Sequence, residues 1–144
     1  MVAVVRKRKP VKKPAKAKPP KTRNGGTMTE AAFRSWVRSQ LRRMSQRWKP
    51  IYMTKKAAQR PATPAEVALF SKGRGRIKFV YECAQCAVRV PDKQGAVDHI
   101  IPCGSLIDIN ADAGPFILRL LCEGEGLRWL CDPCHQEVTN AAHS

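Results

Sequence analysis

Two Cys-x-x-Cys pairs constrain this chain more than any other feature of its sequence. Cys83 and Cys86 form the first pair, Cys131 and Cys134 form the second, and 44 residues lie between Cys86 and Cys131. Each pair can present two thiolates to one tetrahedral zinc ion, whereas a redox motif needs only one pair. The pattern therefore predicts one structural zinc ion, with a redox motif or coincidence as the alternatives. Because a simple zinc ribbon has only roughly 15 to 20 residues between its pairs, we expect the long insert to carry the function.

Charge divides the 144-residue chain into two parts. Residues 1–78 contain 23 Lys and Arg against 2 acidic residues, and residues 79–144 contain 4 against 9, so their net charges are +21 and −5 and the total is +16. The chain has room for one compact domain. No stretch approaches the roughly 18 apolar residues of a membrane span, and no apolar run follows the first charges, so neither a transmembrane helix nor a signal peptide is predicted. We therefore expect a soluble protein in a reducing, cytoplasmic compartment, where cysteines bind metal rather than form disulfides.

Residues 1–26 have the composition of a disordered basic tail. They contain ten Lys and Arg, are interrupted by four prolines and end in two glycines. Such a segment cannot bury enough apolar surface to offset its conformational entropy. Its charge density favours binding to the phosphates of nucleic acid. A solubilising tail, a nuclear localisation signal and attraction to a membrane surface are the alternatives.

A basic helical extension is predicted over residues 27–76. Thr27 and Glu30 have the spacing of a capping box, and Pro50 is expected to close the first helix. One face of this helix is apolar and consists of Phe33, Trp36, Val37, Leu41, Met44 and Trp48. The other face is basic and consists of Arg34, Arg38, Arg42, Arg43 and Arg47. Guanidinium groups in such a row can contact a phosphate backbone bidentately, so these five arginines are candidate DNA-binding residues, and a merely solvated face is compatible with that function.

A second, shorter helix is predicted after a cap at Thr63, with Pro64 at its first position and Glu66 two residues further on. The segment that runs from Lys72 to Arg76 contains two glycines and is interpreted as a flexible basic joint.

The insert opens with Asp98 and His99 in an apolar strand, and His135 follows directly after the second cysteine pair. If zinc ties the strand to the helix that begins near Asp132 and Pro133, Asp98 and His135 can share a second, hard cation. His99 is then placed to deprotonate a water molecule beside that cation. The simpler alternative is that these histidines are structural, as a lone histidine near a zinc site usually is.

Most other residues are interpreted as scaffold. Short strands are predicted at residues 78–82 and 88–90, and a helix is predicted to start at Pro115. Cys103 and Cys122 lie outside the Cys-x-x-Cys spacing and are interpreted as buried thiols.

In their order and spacing, these motifs resemble the zinc-stapled HNH endonucleases, and most of all the small ones encoded by tailed bacteriophages. The resemblance covers residues 77–144 and rests on the first Cys-x-x-Cys pair, the segment Asp98-His99-Ile100-Ile101-Pro102, and Leu130-Cys131 leading into Cys134-His135. It implies an α+β protein with a small ββα-metal (HNH, His-Me finger) domain stapled by a four-cysteine zinc site, preceded by helices and a disordered tail.

The resemblance also implies an activity, the metal-dependent hydrolysis of DNA phosphodiester bonds. His99 would be the general base, Asp98 and His135 would hold magnesium or manganese, and the four cysteines would hold zinc only to fix the fold. A monomer that nicks DNA is expected, with DNA as its partner, no membrane contact, and a phage packaging protein such as terminase as a further partner that related phages suggest. If the chain is phage-encoded, it would act in the host cytoplasm.

Two positions depart from the family pattern. Gly126 stands where many members have Asn, and Val138 stands where many have Lys. Asn110, Asp112 and Glu125 are the polar residues that could replace the Asn. The departures favour the main alternative function, a zinc-stabilised nucleic-acid-binding module without hydrolytic activity. A structural or packaging component that uses the fold for protein contacts is the third.

Overall fold

The computed structural model describes residues 14–72 and 76–143 and shows a mixed α+β protein. The first half of the predicted tail, residues 1–13, and the centre of the predicted basic joint, residues 73–75, lie outside the described residues. The chain divides into a unit that ends at Phe33 and a larger unit that begins at Arg34. Among the described helices, none has the length and apolar character needed to cross a membrane.

The first unit is built around a short hairpin. Strand β1 (Lys21–Arg23) pairs antiparallel with strand β2 (Met28–Thr29), and the turn between them places Asn24, Gly25 and Gly26 at positive φ. Positive φ suits glycine and asparagine, which explains this turn sequence. The hairpin begins inside the range 1–26 that composition assigns to a disordered tail.

Helix α1 (Glu30–Ser45) differs from its predicted bounds at both ends. The Thr29 hydroxyl, not that of Thr27, accepts a hydrogen bond from the Ala32 amide at 3.2 Å and so caps the helix. Glu30 pairs with Arg23 at 2.6 Å instead of completing a capping box. The helix ends at Ser45, and Pro50 lies in the first turn of a further helix, α2 (Lys49–Ala58). The sequence prediction of one long helix closed by Pro50 was therefore wrong, because proline fits the first turn of a helix as readily as it ends one.

The packed side of α1 also differs from the predicted apolar stripe. Val37 and Leu41 pack against a buried cluster formed by Leu106, Phe116 and Leu120. Trp36 and Met44 are about half exposed, at 51% and 49%. The packed side follows residues 37, 41 and 45, which are four residues apart, so Arg34 and Arg38 lie half-buried beside it.

A three-stranded antiparallel sheet follows α2. Its order is β3 (Gln59–Pro61), β4 (Phe79–Glu82) and β5 (Arg89–Val90). Helix α3 (Pro64–Phe70) lies between the first two strands in the chain, and both hydrogen bonds of the Thr63–Glu66 capping box are present. The predictions of this helix and of the two strands that flank the first cysteine pair are confirmed.

The last part of the chain has the order strand, strand, helix, with one helix inserted between the strands. Strand β6 (Gly95–His99) pairs antiparallel with strand β7 (Leu127–Cys131), and helix α5 (Asp132–Ala142) follows directly. The inserted helix is α4 (Ile109–Leu120).

Helix α4 begins earlier than its predicted start at Pro115. The Asp108 carboxylate accepts the Asn110 amide hydrogen bond at 2.9 Å and caps the helix, and Pro115 lies inside it. Asp112 accepts hydrogen bonds from the amides of Ile107 and Asp108, at 2.9 Å each. The aspartate cap therefore decides where this helix starts, in spite of the proline.

The main core lies between the antiparallel pair β6–β7, helix α5 and the three-stranded sheet. The rings of Tyr81 and Trp129 stack with centroids 5.5 Å apart. Gly95 makes this packing possible, because a Cβ atom there would overlap the Trp129 ring. The core residues that join them are Cys83, Leu130, Cys131 and Cys134. Three of the four cysteines of the two pairs are thus part of the core, and Cys86 is exposed.

Candidate metal centre and hydrolytic site

The four cysteines of the two Cys-x-x-Cys pairs come together in one cluster. Their sulfur atoms all lie within 4.8 Å of one another, and the sulfurs of Cys86 and Cys131 are 3.7 Å apart. Four sulfurs around one zinc ion, each about 2.3 Å from the metal, would be about 3.8 Å apart. The cluster therefore has the composition and spacing of a tetrahedral metal site, as the sequence predicts.

Local backbone geometry explains why each pair presents both sulfurs. After β4 the chain turns back through hydrogen bonds of 2.9 Å, from the Cys83 amide to the Val88 carbonyl and from the Ala87 amide to the Cys83 carbonyl. Ala87 adopts φ of 61°, which closes the turn. Cys131 ends β7, and Cys134 lies in the first turn of α5, so this pair spans a strand-to-helix junction. Metal bound here would tie β4, β7 and α5 together.

The charges of the cluster favour a bound cation. Burial raises the pKa of the Cys83 thiol, but hydrogen bonds from the backbone and from the Cys131 side chain outweigh burial and lower it to about 6. Burial raises the pKa of the Cys131 thiol and outweighs hydrogen bonds from Cys134 that lower it, and burial and the neighbouring thiols strongly raise the pKa of Cys134. The Cys83 thiolate thus forms readily, while Cys131 and Cys134 resist ionisation. A divalent cation removes this conflict, because it compensates the thiolate charges directly.

Asp98 and His135 form a second group beside this cluster. The register between β6 and β7 places Asp98 opposite Arg128, and the Arg128 Nε lies 3.3 Å from Asp98 Oδ2. The other carboxylate oxygen, Oδ1, lies 3.7 Å from His135 Nε2. The Asp98 side chain is only 13% exposed, so its charge acts in a partly desolvated setting. Arg128 therefore holds one oxygen while the other faces the imidazole.

The distance between this oxygen and nitrogen can be compared with the geometry of a hard divalent cation. With bonds of about 2.1 Å, two ligands of an octahedral Mg²⁺ lie about 3 Å apart in neighbouring positions and about 4.2 Å apart in opposite positions. The 3.7 Å between Asp98 Oδ1 and His135 Nε2 matches neither distance, so shared coordination of one cation would require these side chains to move by about 0.5 Å or more. The structure brings together the two residues that the sequence analysis pairs as cation ligands, in a contact that is itself that of a carboxylate with an imidazole.

His99 makes a different contact. Its Nε2 lies 2.9 Å from the backbone carbonyl of Leu120, at the end of α4. A carbonyl oxygen can only accept a hydrogen bond, so this contact assigns the proton to Nε2 and leaves Nδ1 as the basic nitrogen. The structure therefore fixes the tautomer of the predicted general base through α4, an element whose contribution the sequence did not indicate.

Packing explains why residue 126 is a glycine. A Cβ atom at this position would lie 2.8 Å from the sulfur of Cys122, closer than real contacts allow. Its carbonyl accepts a hydrogen bond from the Ile100 amide at 2.9 Å. Of the polar residues considered as substitutes for the Asn found in many HNH endonucleases, Asp112 is engaged in capping α4. The atom in contact with His99 is instead the carbonyl of Leu120.

The predicted DNA-binding arginines divide between two environments. Arg34 and Arg38 are half-buried on the packed side of α1, whereas Arg42, Arg43 and Arg47 are exposed. Sequence reasoning missed Arg128, because its contact with Asp98 depends on the register between β6 and β7, which no local pattern reveals.

Comparisons with protein-family models, with curated proteins and with solved structures found no match to this chain.

Proposed function

We propose that this protein is a metal-dependent DNA endonuclease of the HNH type, which hydrolyses phosphodiester bonds. The observation that carries the proposal is the approach of Asp98 Oδ1 to His135 Nε2, 3.7 Å apart across β6 and α5, next to a four-cysteine cluster. The strand, strand, helix order of this region is that of the fold that the sequence resemblance implies. The Asp98–His135 contact, as a candidate cation site, and a histidine of fixed tautomer at the end of the same strand as Asp98 are the parts that hydrolytic chemistry would use.

The four cysteines would hold a structural zinc ion. Their residue type and spacing match closed zinc sites, which have no open position for a substrate, and three of the four are buried. Because metal there would join the end of β4 and β7 to α5, its role would be to position Asp98 and His135.

Asp98 and His135 would hold magnesium or manganese. Such a cation would supply charge stabilisation to the scissile phosphate and the leaving 3′ oxygen. The ion pair with Arg128 orients the Asp98 carboxylate so that Oδ1 points towards His135. Partners that orient a metal-binding group in this way commonly tune metal affinity.

His99 would act as the general base. Its Nδ1 would accept a proton from the attacking water as the new oxygen–phosphorus bond forms and the bond to the leaving oxygen breaks. The Leu120 carbonyl keeps the other ring proton on Nε2 and holds the ring in place. The positive charge that forms on the ring is stabilised by the same carbonyl.

The test of this function is a plasmid assay with the zinc-loaded protein. We expect supercoiled DNA to be converted to the nicked form when magnesium or manganese is added, and to stay intact when only zinc is present. His99→Ala, purified in parallel by the same procedure, controls for contaminating nucleases. Supercoiled plasmid that stays intact over a range of magnesium and manganese concentrations would contradict the proposed activity.

A second candidate function is a zinc-stabilised nucleic-acid-binding module. The ion pair between Asp98 and Arg128 favours it, because a cross-strand pair of this kind also gives Asp98 a purely structural role. The basic charge of residues 1–78 serves either function.

Calorimetric titration with manganese separates the two candidates. If Asp98 and His135 form a cation site, the zinc-loaded protein should bind one manganese ion, and His135→Ala should weaken that binding by more than about tenfold. His143→Ala serves as the matched control, because His143 is an exposed histidine at the end of α5. Equal manganese binding by the wild type and by His135→Ala would favour the binding module.

A further inference from the structure

Helix α5 supplies an imidazole to the candidate site but no permanent positive charge. Residues 132–142 contain neither Lys nor Arg. Val138, on the same helix, packs against the core cluster and so occupies a structural position. Any positive charge that contacts a DNA phosphate beside His135 must therefore come from other elements.

Arg119 is one such charge. It lies in the last turn of α4, directly before the residue whose carbonyl contacts His99. A Cβ atom placed on Gly104 would lie 3.3 Å from Arg119 Nη1, so the guanidinium lies against the backbone of the loop that follows β6. Gly104 has φ of +82°, which favours glycine and keeps this loop surface without a side chain. In the part of the chain that the structure describes, the Arg119 guanidinium has no ion-pair or hydrogen-bond partner.

Arg42 lies on α1, next to a residue that shares a cluster with Cys103 of the same loop. The neighbouring Leu41 packs against the cluster of Leu106, Phe116 and Leu120, and Cys103 packs against this cluster as well. Burial raises the pKa of the Cys103 thiol, the charges of Arg42 and Arg119 lower it, and that of Asp98 raises it. All three charges therefore lie within electrostatic reach of one half-buried atom. Across residues 14–72 and 76–143, nothing pairs with the Arg42 guanidinium either.

Asp98 forms no ion pair with Arg42 or Arg119. Its carboxylate contacts Arg128 and His135, at 3.3 and 3.7 Å. Arg42 and Arg119 thus remain unpaired among the described residues, while Asp98 has other partners. A phosphodiester would suit both Arg42 and Arg119 as a partner, because a guanidinium group binds phosphate oxygens bidentately and keeps its charge.

We propose that Arg42 and Arg119, from two different helices, together hold a phosphodiester of the DNA backbone next to the bond that is cleaved at the Asp98–His135 site. This inference rests on the proposed function for the position of the cleaved bond. It assigns a specific task to Arg42, apart from the general basic face of α1, and it adds Arg119, which lies in the acidic half of the chain.

The first measurement is DNA binding without added magnesium or manganese, so that it does not depend on cleavage. The affinity of the zinc-loaded protein for a short duplex is determined over a range of salt concentrations. Removal of one arginine that binds a phosphate should reduce the slope of log affinity against log salt by about 0.9. We expect this reduction for Arg119→Gln and for Arg42→Gln, and about twice this reduction for the double variant. Lys93→Gln is the matched control, because it removes one exposed charge elsewhere.

Arg119→Gln decides the outcome, because Arg119 lies outside the basic face of α1. A wild-type salt slope for this variant would overturn the proposal, provided that its zinc content and melting temperature match the wild type. If Arg119→Gln melts lower, Arg119→Met, which keeps the aliphatic part of the side chain and removes its charge, replaces it and should show the same reduction in slope. A wild-type slope for Arg119→Met would then overturn the proposal.

The second measurement locates the phosphate relative to the cleaved bond. A duplex with one uncharged methylphosphonate linkage is cleaved by the wild type, and each cleaved bond is separated on a gel. Cleavage should fall about tenfold or more at a fixed offset from the methylphosphonate, and this local fall should be absent in the double variant. Interference that persists unchanged in the double variant would overturn the proposal. If the wild type does not cleave DNA at all, the nuclease function fails, while the salt slopes still decide whether Arg42 and Arg119 hold a phosphate.

Discussion

Loss of one cysteine of the cluster should unfold the larger unit of this protein. In Cys131→Ser the remaining three thiols cannot complete a tetrahedral site, and zinc binding of this kind contributes on the order of 10 kcal/mol in small zinc domains. Because a domain of this size is stabilised by only about 5 to 15 kcal/mol in total, the loss approaches the whole free energy of unfolding. Cys131 is also buried between β7 and α5, where a hydroxyl without a partner adds a further cost. The expected result is loss of the cooperative thermal transition, measured by circular dichroism.

Cys103→Ser is the control for this experiment. Cys103 is half-buried but lies outside the cluster, so this variant should keep one zinc ion per chain and lose only about 1 kcal/mol. Zinc content is measured by elemental analysis of the purified proteins. A wild-type protein that binds no metal, or a Cys131→Ser variant that unfolds as cooperatively as the wild type, would contradict the assignment of a structural zinc.

The elements with strong chemical signals could be predicted from the sequence. Thr63 with Glu66 predicted the start of α3, because these residues are close together in the chain. The two Cys-x-x-Cys pairs predicted a cluster of four sulfurs although they are far apart in the chain, because one tetrahedral zinc ion takes four thiolates and each pair supplies two. Prolines misled the prediction twice. Pro50 begins α2 rather than ending α1, and Pro115 lies inside α4, whose start is set by Asp108.

The contacts that shape the candidate site could not be predicted, because they depend on tertiary structure. Asp98 meets Arg128 only through the register of β6 and β7. His99 contacts the backbone carbonyl of Leu120. Because every residue type has this carbonyl, the sequence does not indicate the contact. The packed side of α1 was set by α4 and the loop before it, which left Trp36 exposed against the apolar pattern. Helical periodicity gives the faces of a helix but not which face finds a partner.

Replacement of His99 should remove the proposed cleavage activity while the fold remains. A positioned general base contributes typically about 10² to 10⁴-fold to a rate, so His99→Ala should convert supercoiled plasmid at least about 100-fold more slowly than the wild type in magnesium. Since His99 lies at the end of β6 and contacts the protein through one hydrogen bond to Leu120, its loss should cost only about 1 kcal/mol of stability. Zinc content and DNA affinity should stay at wild-type values.

Comparison with two further histidine variants makes this result specific. His143→Ala should cleave at the wild-type rate, because His143 is exposed at the end of α5. His135→Ala should also lose activity, but higher manganese concentrations should restore part of it, because a weakened cation site can be filled by mass action. No concentration of metal should restore His99→Ala, since a missing base is not replaced by a cation. If His99→Ala cleaves as fast as the wild type, His99 is not the base, and its hydrogen bond to the Leu120 carbonyl is a structural contact between β6 and α4.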